Sequence, residues 1–214
     1  MLYGFGRLIF ATYLKIFFRF HVHGRENIPV RRPFIICANH IKWLDPVSVA
    51  VAVPASIQIH FMAKKELFSN FLFTYILNKV GAFPVNRQDA DYAAFRRAFQ
   101  LLKDGKVLGL FPEGTRSNDG KLQKAYGGAA LIAVRSGAPI LPMAILGPYQ
   151  LCKPVHVYIG SPFVLPPLIY EQKEDKKMML EEMSREIMNN IRNLLPNQGI
   201  ADSGEKEMSG ERSI

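Results

Sequence analysis

Between residues 34 and 159, short apolar runs alternate with stretches of helical periodicity, and that alternation narrows the choice of fold more than any other feature. Strands are expected at 34–38, 57–63, 80–85, 107–111, 139–145 and 155–159, with helices at 46–54, 67–79, 89–104 and 127–136. The helix at 89–104 is the clearest: Tyr92, Phe95, Phe99 and Leu102 recur at three- to four-residue spacing, and Gly105 supplies a stop. Most of the strand runs lack period-two polarity, as strands covered on both faces should. The expected fold is therefore an α/β single domain with a largely parallel central sheet flanked by helices. A last amphipathic helix at 171–195 places Leu180, Met183, Ile187, Ile191 and Leu194 on one core-packing face, and Pro196 ends it. Residues 197–214 are polar and read as a disordered tail.

A chain of 214 residues with 49% hydrophobic and 21% charged side chains can bury one proper core, which argues against a disordered or polytopic membrane protein. Its 15 Phe and 8 Tyr exceed what the interior of so small a domain needs, so some should face something apolar outside it. The net charge is +9, and residues 1–32 concentrate it, with six basic side chains against Glu26 alone. A basic, aromatic-rich end suits an anionic lipid surface, although nucleic acid or plain solvation would also accept the charge. Cys37 and Cys152 are too few for a disulfide framework or metal cluster. Cys37, within an apolar run, reads as a buried thiol in a reducing compartment.

Residues 2–20 form an expected amphipathic helix. At about 100° per residue, Arg7, Lys15 and Arg19 share an arc of about 120°. Ile9, Phe10, Tyr13, Ile16, Phe17 and Phe20 lie opposite, and Phe18 falls within the cationic arc. A signal peptide would need an unbroken apolar stretch and a cleavage site, which the segment lacks. A spanning helix would carry Arg7 and Lys15 at about 3 kcal/mol each near the bilayer centre. A helix lying in the interface is favoured over a span, and packing on the domain is the third possibility.

The chemistry concentrates in Asn39-His40-Ile41-Lys42-Trp43-Leu44-Asp45. On a helix, residues i and i+5 stand about 140° apart, and on a strand they face opposite sides, so His40 and Asp45 meet only if the chain turns between them. The strand before His40 and Asp45-Pro46 after it supply the turn, with Asp45 read as a helix N-cap. A carboxylate bonded to one imidazole nitrogen fixes the tautomer and leaves the other nitrogen as base. Phe111-Pro112-Glu113-Gly114-Thr115-Arg116-Ser117 leaves another strand at the same sheet edge, where parallel sheets bind ligands. Gly114 permits close backbone approach, and Arg116 offers a forked donor for phosphate oxygens. Gly81-Ala82-Phe83-Pro84-Val85-Asn86-Arg87 brings a second arginine to that edge. Two arginines beside a base point to an anionic substrate that loses a proton. His21 and His23 share a strand face, but without a third clustered ligand no metal site is expected. Trp43, the sole tryptophan, could wedge the loop or face an interface.

The blocks at 39–46, 81–87, 111–117 and 138–145 resemble motifs I to IV of the glycerolipid acyltransferases, nearest to the bacterial 1-acyl-sn-glycerol-3-phosphate acyltransferase type. Met62-Ala63-Lys64-Lys65-Glu66-Leu67-Phe68 adds a further stretch typical of that group, and the similarity runs over about residues 22–165. The resemblance implies acyl transfer from an acyl thioester, carried by acyl carrier protein or coenzyme A, to the 2-hydroxyl of lysophosphatidic acid. It makes His40 the general base and Asp45 its orienting partner. Arg87 and Arg116 would hold the phosphate, with Glu113, Gly114 and Thr115 in the loop and Lys64 and Lys124 as further substrate contacts. A covalent acyl-enzyme is not required, in keeping with the lack of a Gly-x-Ser-x-Gly elbow, and no cofactor or metal is implied. Two departures stand out: in Lys124-Ala125-Tyr126-Gly127-Gly128, Tyr126 and Gly127 stand nearest the helix-opening glycine, where the group often has a basic residue that Lys124 would replace, and Asn86 occupies a position where Asp is common in the group. The implied organisation is a membrane-associating helix at 1–20, an acyltransferase domain at 21–196 and the tail at 197–214. The implied place is the cytoplasmic face of a bacterial inner membrane, as a peripheral or monotopic protein. The rivals are a different lysolipid acceptor and a non-catalytic basic module; the motif set argues against the latter and against nucleic acid as a partner.

Overall fold

The computed structural model describes residues 2–86, 91–117 and 119–196. The chain begins with helix α1 (Leu2–Phe18) and strand β1 (Phe20–His23), then β2 (Phe34–Ala38), α2 (Asp45–Ala52), β3 (Ile59–Lys64), α3 (Phe71–Lys79) and β4 (Phe83–Val85). It continues through α4 (Tyr92–Lys103), β5 (Val107–Leu110), α5 (Gly128–Ser136), β6 (Ile140–Leu146), β7 (Val155–Ile159) and α6 (Lys173–Arg192). The seven strands form one sheet in the order β1-β7-β6-β2-β5-β3-β4. Every neighbouring pair is parallel except β6 and β7. The expected α/β architecture with a largely parallel sheet is therefore present.

Chain direction across the sheet decides which face each helix covers. The connections through α2 and α3 both step towards β4, whereas those through α4 and α5 step back. Right-handed crossovers place the first two helices on one face and the second two on the other. The packing agrees. Phe34, Ile36, Leu141 and Met143 meet α1 and α2 in one core, while Ile35, Leu108, Ile140 and Ala144 meet α4, α5 and α6 in a second. Central strands buried on both faces explain the missing polar alternation: β2 and β5 contain no exposed residue. The stripe on α6 packs as expected, with Met183, Ile187 and Ile191 in the core and Leu180 and Leu194 against it. Cys37 is fully buried, and burial pushes its thiol up to about 12.

Several boundaries differ from expectation, each for a local reason. The helix expected at 67–79 is split: a 3₁₀ turn covers Lys65–Phe68, and α3 starts only where the Asn70 side chain accepts from the backbone N–H of Leu72 and Phe73. Val80 and Gly81 turn out of α3, Gly81 at φ 92°, so β4 is shorter than the 80–85 run. Helix α4 begins at Tyr92, capped by Asp91, which accepts from Ala94 N–H; residues 87–90 lie outside the described ones. Strand β1 is absent from the expected strand runs, although His21 and His23 do share its exposed face, because Phe-His-Val-His is a short edge strand with no apolar run. The tail expected at 197–214 also lies outside the described residues.

Helix α1 is turned differently from its expected charge pattern. Leu14 and Phe18 are buried in the core beneath it, and Phe18, the odd residue of the cationic arc, thereby faces the protein. Arg7 also points inward and donates to the carbonyls of Ala50, Val51 and Val53 at 3.1, 3.1 and 2.6 Å. These are the last carbonyls of α2, whose partial negative charge favours a cation. Phe5, Leu8, Ile9, Ile16 and Phe17 remain exposed on the outer side. Among the described residues, no helix is long and apolar enough to cross a membrane.

Candidate active site

The carboxyl ends of β2 and β5 deliver the two main motif loops side by side. Residues 39–44 leave β2 and run into α2, so the turn required between His40 and Asp45 is present. His40 Nδ1 lies 2.8 Å from Asp45 Oδ2. The same oxygen accepts the backbone N–H of Ile41 and, at 2.7 Å, that of Lys42. An oxygen already receiving two donors is an acceptor for the third, so the imidazole carries its proton on Nδ1 and leaves Nε2 with the free lone pair. The expected N-cap geometry is not what forms. Helix α2 starts at Asp45 with Leu44 preceding it, and the carboxylate bonds backwards to the loop instead of forwards to the helix. Closing the loop onto the imidazole takes the place of capping.

Other polar groups at the loop are also tied down. Asn39 spans to β6, accepting from Ile145 N–H at 2.7 Å and donating to Ile145 C=O at 3.0 Å. Glu113 is buried, and its two carboxylate oxygens accept from His40 N–H at 3.0 Å and Gln123 N–H at 3.1 Å. Ser117 N–H donates to His40 C=O at 2.8 Å. Burial raises the Glu113 carboxyl above its ordinary value, against the lowering effect of its backbone donors. The His40 ring stacks on Phe111, centroids 4.2 Å apart, and Phe111 stacks in turn near Phe61. Gly109 makes room for Phe61, since a Cβ there would overlap that ring. Gly114, at φ 67°, turns the loop beside the ring of Tyr126.

The expected phosphate contacts are arranged more openly. Thr115 and Arg116 are exposed on the loop beyond Glu113, and among the described residues Arg116 has no ion-pair partner. Lys64 stands at the carboxyl end of β3, 3.7 Å from Glu66. Lys124 is exposed and lies 3.9 Å from Glu181 of α6. Arg87 lies outside the described residues. Trp43 is 62% exposed, so it projects outward from the loop and does not wedge it.

Sequence reasoning missed Tyr149, on the connection between β6 and β7. Its hydroxyl donates to Ser48 Oγ at 2.9 Å, under α2 beside Asp45. Burial, and after it the charge of Asp45, drives the phenol's proton affinity upward. Asp45 Oδ1 is buried without a hydrogen bond among the described residues, and Tyr149 stands close enough to feel the charge of that carboxylate. Tyr149 adopts φ 51°, a conformation rare for a non-glycine residue, and no spacing rule links it to Ser48, 101 positions earlier. The two histidines of β1 do meet a third: His156 of β7 stacks on His21 and His23 with centroids 5.0 and 5.4 Å away. Among the described residues, no group of His, Cys, Asp or Glu is arranged to hold a metal ion.

Fold and site together define a class of α/β domain that orients one imidazole, through a buried carboxylate, at the carboxyl edge of its parallel strands. The chain belongs to the acyltransferase family, whose model matches residues 19–146. It is 39% identical over 127 residues to the 1-acyl-sn-glycerol-3-phosphate acyltransferase of Bacillus subtilis, covering 59% of this chain and 62% of that one. It is 40% identical over 134 residues to the enzyme of the same name from Streptococcus pneumoniae, covering 61% of this chain and 48% of that one. The matched stretch thus spans about half to just under two thirds of these relatives. The crystal structure of PlsC, the 1-acyl-sn-glycerophosphate acyltransferase of Thermotoga maritima, is similar with a TM-score of 0.62 at 28% identity, covering 87% of this chain and 77% of that one.

Proposed function

We propose that the protein transfers a fatty acyl group from an acyl thioester to the sn-2 hydroxyl of 1-acyl-sn-glycerol 3-phosphate, giving phosphatidic acid. The observation that carries this reading is the 2.8 Å Nδ1–Oδ2 pair, which leaves Nε2 of His40 as the basic atom. As the acceptor hydroxyl oxygen attacks the thioester carbonyl carbon, Nε2 takes its proton. Collapse of the tetrahedral intermediate breaks the C–S bond, and the imidazolium returns the proton to the leaving thiolate. Asp45 stabilises the imidazolium while that charge exists. Arg116 and Arg87 bind the phosphate, with Lys64 and Lys124 as additional cations and Thr115 beside Arg116. Glu113 and Gly114 act on substrate through the loop they shape. The donor is acyl carrier protein or coenzyme A, both anionic and drawn to a chain of net charge +9. The exposed outer face of α1 supports work on the cytoplasmic side of an anionic bacterial membrane, with residues 1–20 associating with it and 21–196 forming the transferase domain.

The deciding assay supplies lysophosphatidic acid and a labelled acyl thioester to the wild type and to His40→Ala. Acyl transfer is expected to fall about 10²- to 10⁴-fold in the variant. Transfer by His40→Ala at the wild-type rate would end the mechanism, and no transfer by the wild type to this acceptor, with transfer to another lysolipid, would reassign the substrate.

A further inference from the structure

Helix α3 is out of place as a surface helix. Its sequence, FLFTYILNK, is mostly apolar, yet none of its residues is buried and none joins either core. Phe71 is 87% exposed and Phe73 61%, and Leu72, Tyr75 and Ile76 are exposed with them. At 100° per residue these five cover more than half the helix circumference, so rotation in place could not hide them. A nine-residue helix gains most of its stability from packing, and α3 has packed almost nothing against its own domain. Contiguous apolar surface of this kind marks a docking face.

The position and charge of α3 identify the occupant. It follows β3 at Lys64, on the edge that carries the His40 and Phe111–Ser117 loops. The right-handed crossovers put it on the same face of the sheet as α1. The start of α1 and the end of α3 meet at the amino end of β3: the Tyr3 hydroxyl donates to Ile57 C=O, and the next side chain, Gln58, donates to the Lys79 carbonyl that ends α3. Lys64, Lys65 and Lys79 flank the α3 apolar face, and Lys15 and Arg19 flank that of α1, with Glu66 the acidic residue between Lys64 and α3. A second copy of the chain would set these cations against one another. An anionic bilayer offers headgroups to the lysines and hydrocarbon to the aromatics.

We infer that α3 and the outer face of α1 form a single membrane-docking surface, with the α3 aromatics entering the acyl-chain region of an anionic bilayer beside the site. This rests on the lipid-acceptor reading above. It gives the site two points of attachment, one on either side of α2, and so a defined approach to an acceptor held in the lipid.

The test uses the full chain carrying Phe71→Ser and Phe73→Ser, with vesicles of equimolar phosphatidylcholine and phosphatidylglycerol. Partitioning in a flotation assay is expected to fall about tenfold or more, with the thermal midpoint unchanged because neither residue touches a core. Transfer to a short-chain, freely soluble lysophosphatidate is expected to persist, while transfer to an acceptor embedded in vesicles falls with binding. Loss of both activities in the wild type as well would defeat the acceptor reading and not the docking surface. A second measurement places Phe73→Trp in a Trp43→Phe background and reads quenching by bromine-labelled acyl chains. Strong quenching supports insertion. Unquenched emission, or unchanged flotation of the double variant, overturns it. So does a wild-type dimer in sedimentation that the double variant abolishes while still binding vesicles, or a selective loss of affinity for acyl carrier protein with vesicle binding intact.

Discussion

The His40 loop and the exposed cations expected to bind phosphate follow opposite rules of construction. Around His40, the carboxylates of Asp45 and Glu113 and the amide of Asn39 each satisfy at least two partners, and all three residues are buried. Around the expected phosphate position, Arg116, Lys64 and Lys124 are exposed, and the ion pairs of the two lysines are longer than a good hydrogen bond. A base must sit within tenths of an ångström of the hydroxyl it deprotonates, so its geometry is fixed in advance by the fold. A charge that captures a phosphate works over a longer range and gains from reach. In the proposed mechanism, positioning is therefore stored in buried carboxylates, and phosphate affinity in long exposed side chains.

That contrast can be broken by substitutions that act on one half alone. Asp45→Asn should have the largest effect, a fall in kcat of about 10³- to 10⁴-fold, because an amide no longer dictates the imidazole tautomer. Its structure should largely hold, since the amide oxygen can still accept from Ile41 and Lys42; an apo thermal scan beside steady-state kinetics checks both halves. Glu113→Ala should follow. It strands the buried N–H of His40 and the half-buried N–H of Gln123, costs about 2–4 kcal/mol in stability, and lowers kcat with little change in KM, as denaturant unfolding and kinetics would reveal. Arg116→Ala should do the reverse, raising KM for a phosphate-bearing acceptor about tenfold while the unfolding midpoint stays put. An equal loss of kcat and stability there would erase the distinction between the two regions. Tyr149→Phe should be the mildest, with kcat down about three- to tenfold and about 1 kcal/mol lost in stability as Ser48 loses its donor.

Glu113 also sharpens the comparison through pH. Its folded value is raised above the ordinary 4.5 by burial, so the folded state binds the proton more tightly than the unfolded chain. The sign follows by linkage: the fold is favoured by protonation, and that contribution is full below the ordinary value and lost as pH rises through the raised one. Glu113→Gln removes the titration. The stability difference between wild type and Glu113→Gln should therefore move in favour of the variant across that window, measured by urea unfolding at a series of pH values, and be flat outside it.

Much of this architecture was legible because local signals agreed with the global fold. The run at 34–38 and Asp45-Pro46 forced a turn that the structure contains, and the α6 stripe fell on the core as its spacing required. Three features were not legible, for separate physical reasons. Strand β1 owes its existence to pairing with β7, and Phe-His-Val-His carries no apolar run that would mark it. The inward turn of Arg7 depends on where α2 ends, since free carbonyls there outcompete water for the guanidinium. Tyr149 reaches Ser48 only after the sheet has assembled. At Asp45 the chain offered two uses for one carboxylate, cap or clasp, and the clasp won because it also satisfies the imidazole. The charge wheel of α1 misled for a related reason: a cationic arc says where the charges are, not whether water or helix-end carbonyls receive them.

The clasp of Arg7 on α2 has a mechanical consequence. Helix α1 is pinned near its start by that guanidinium and at its end by Cys152 N–H, which donates to Phe17 C=O at 2.8 Å. Fastened at both ends to the body that carries His40, it has no swivel. Whatever surface the outer side of α1 rests upon, the imidazole stands at one set height and one set tilt above it, so the helix serves as a mount and not as a tether.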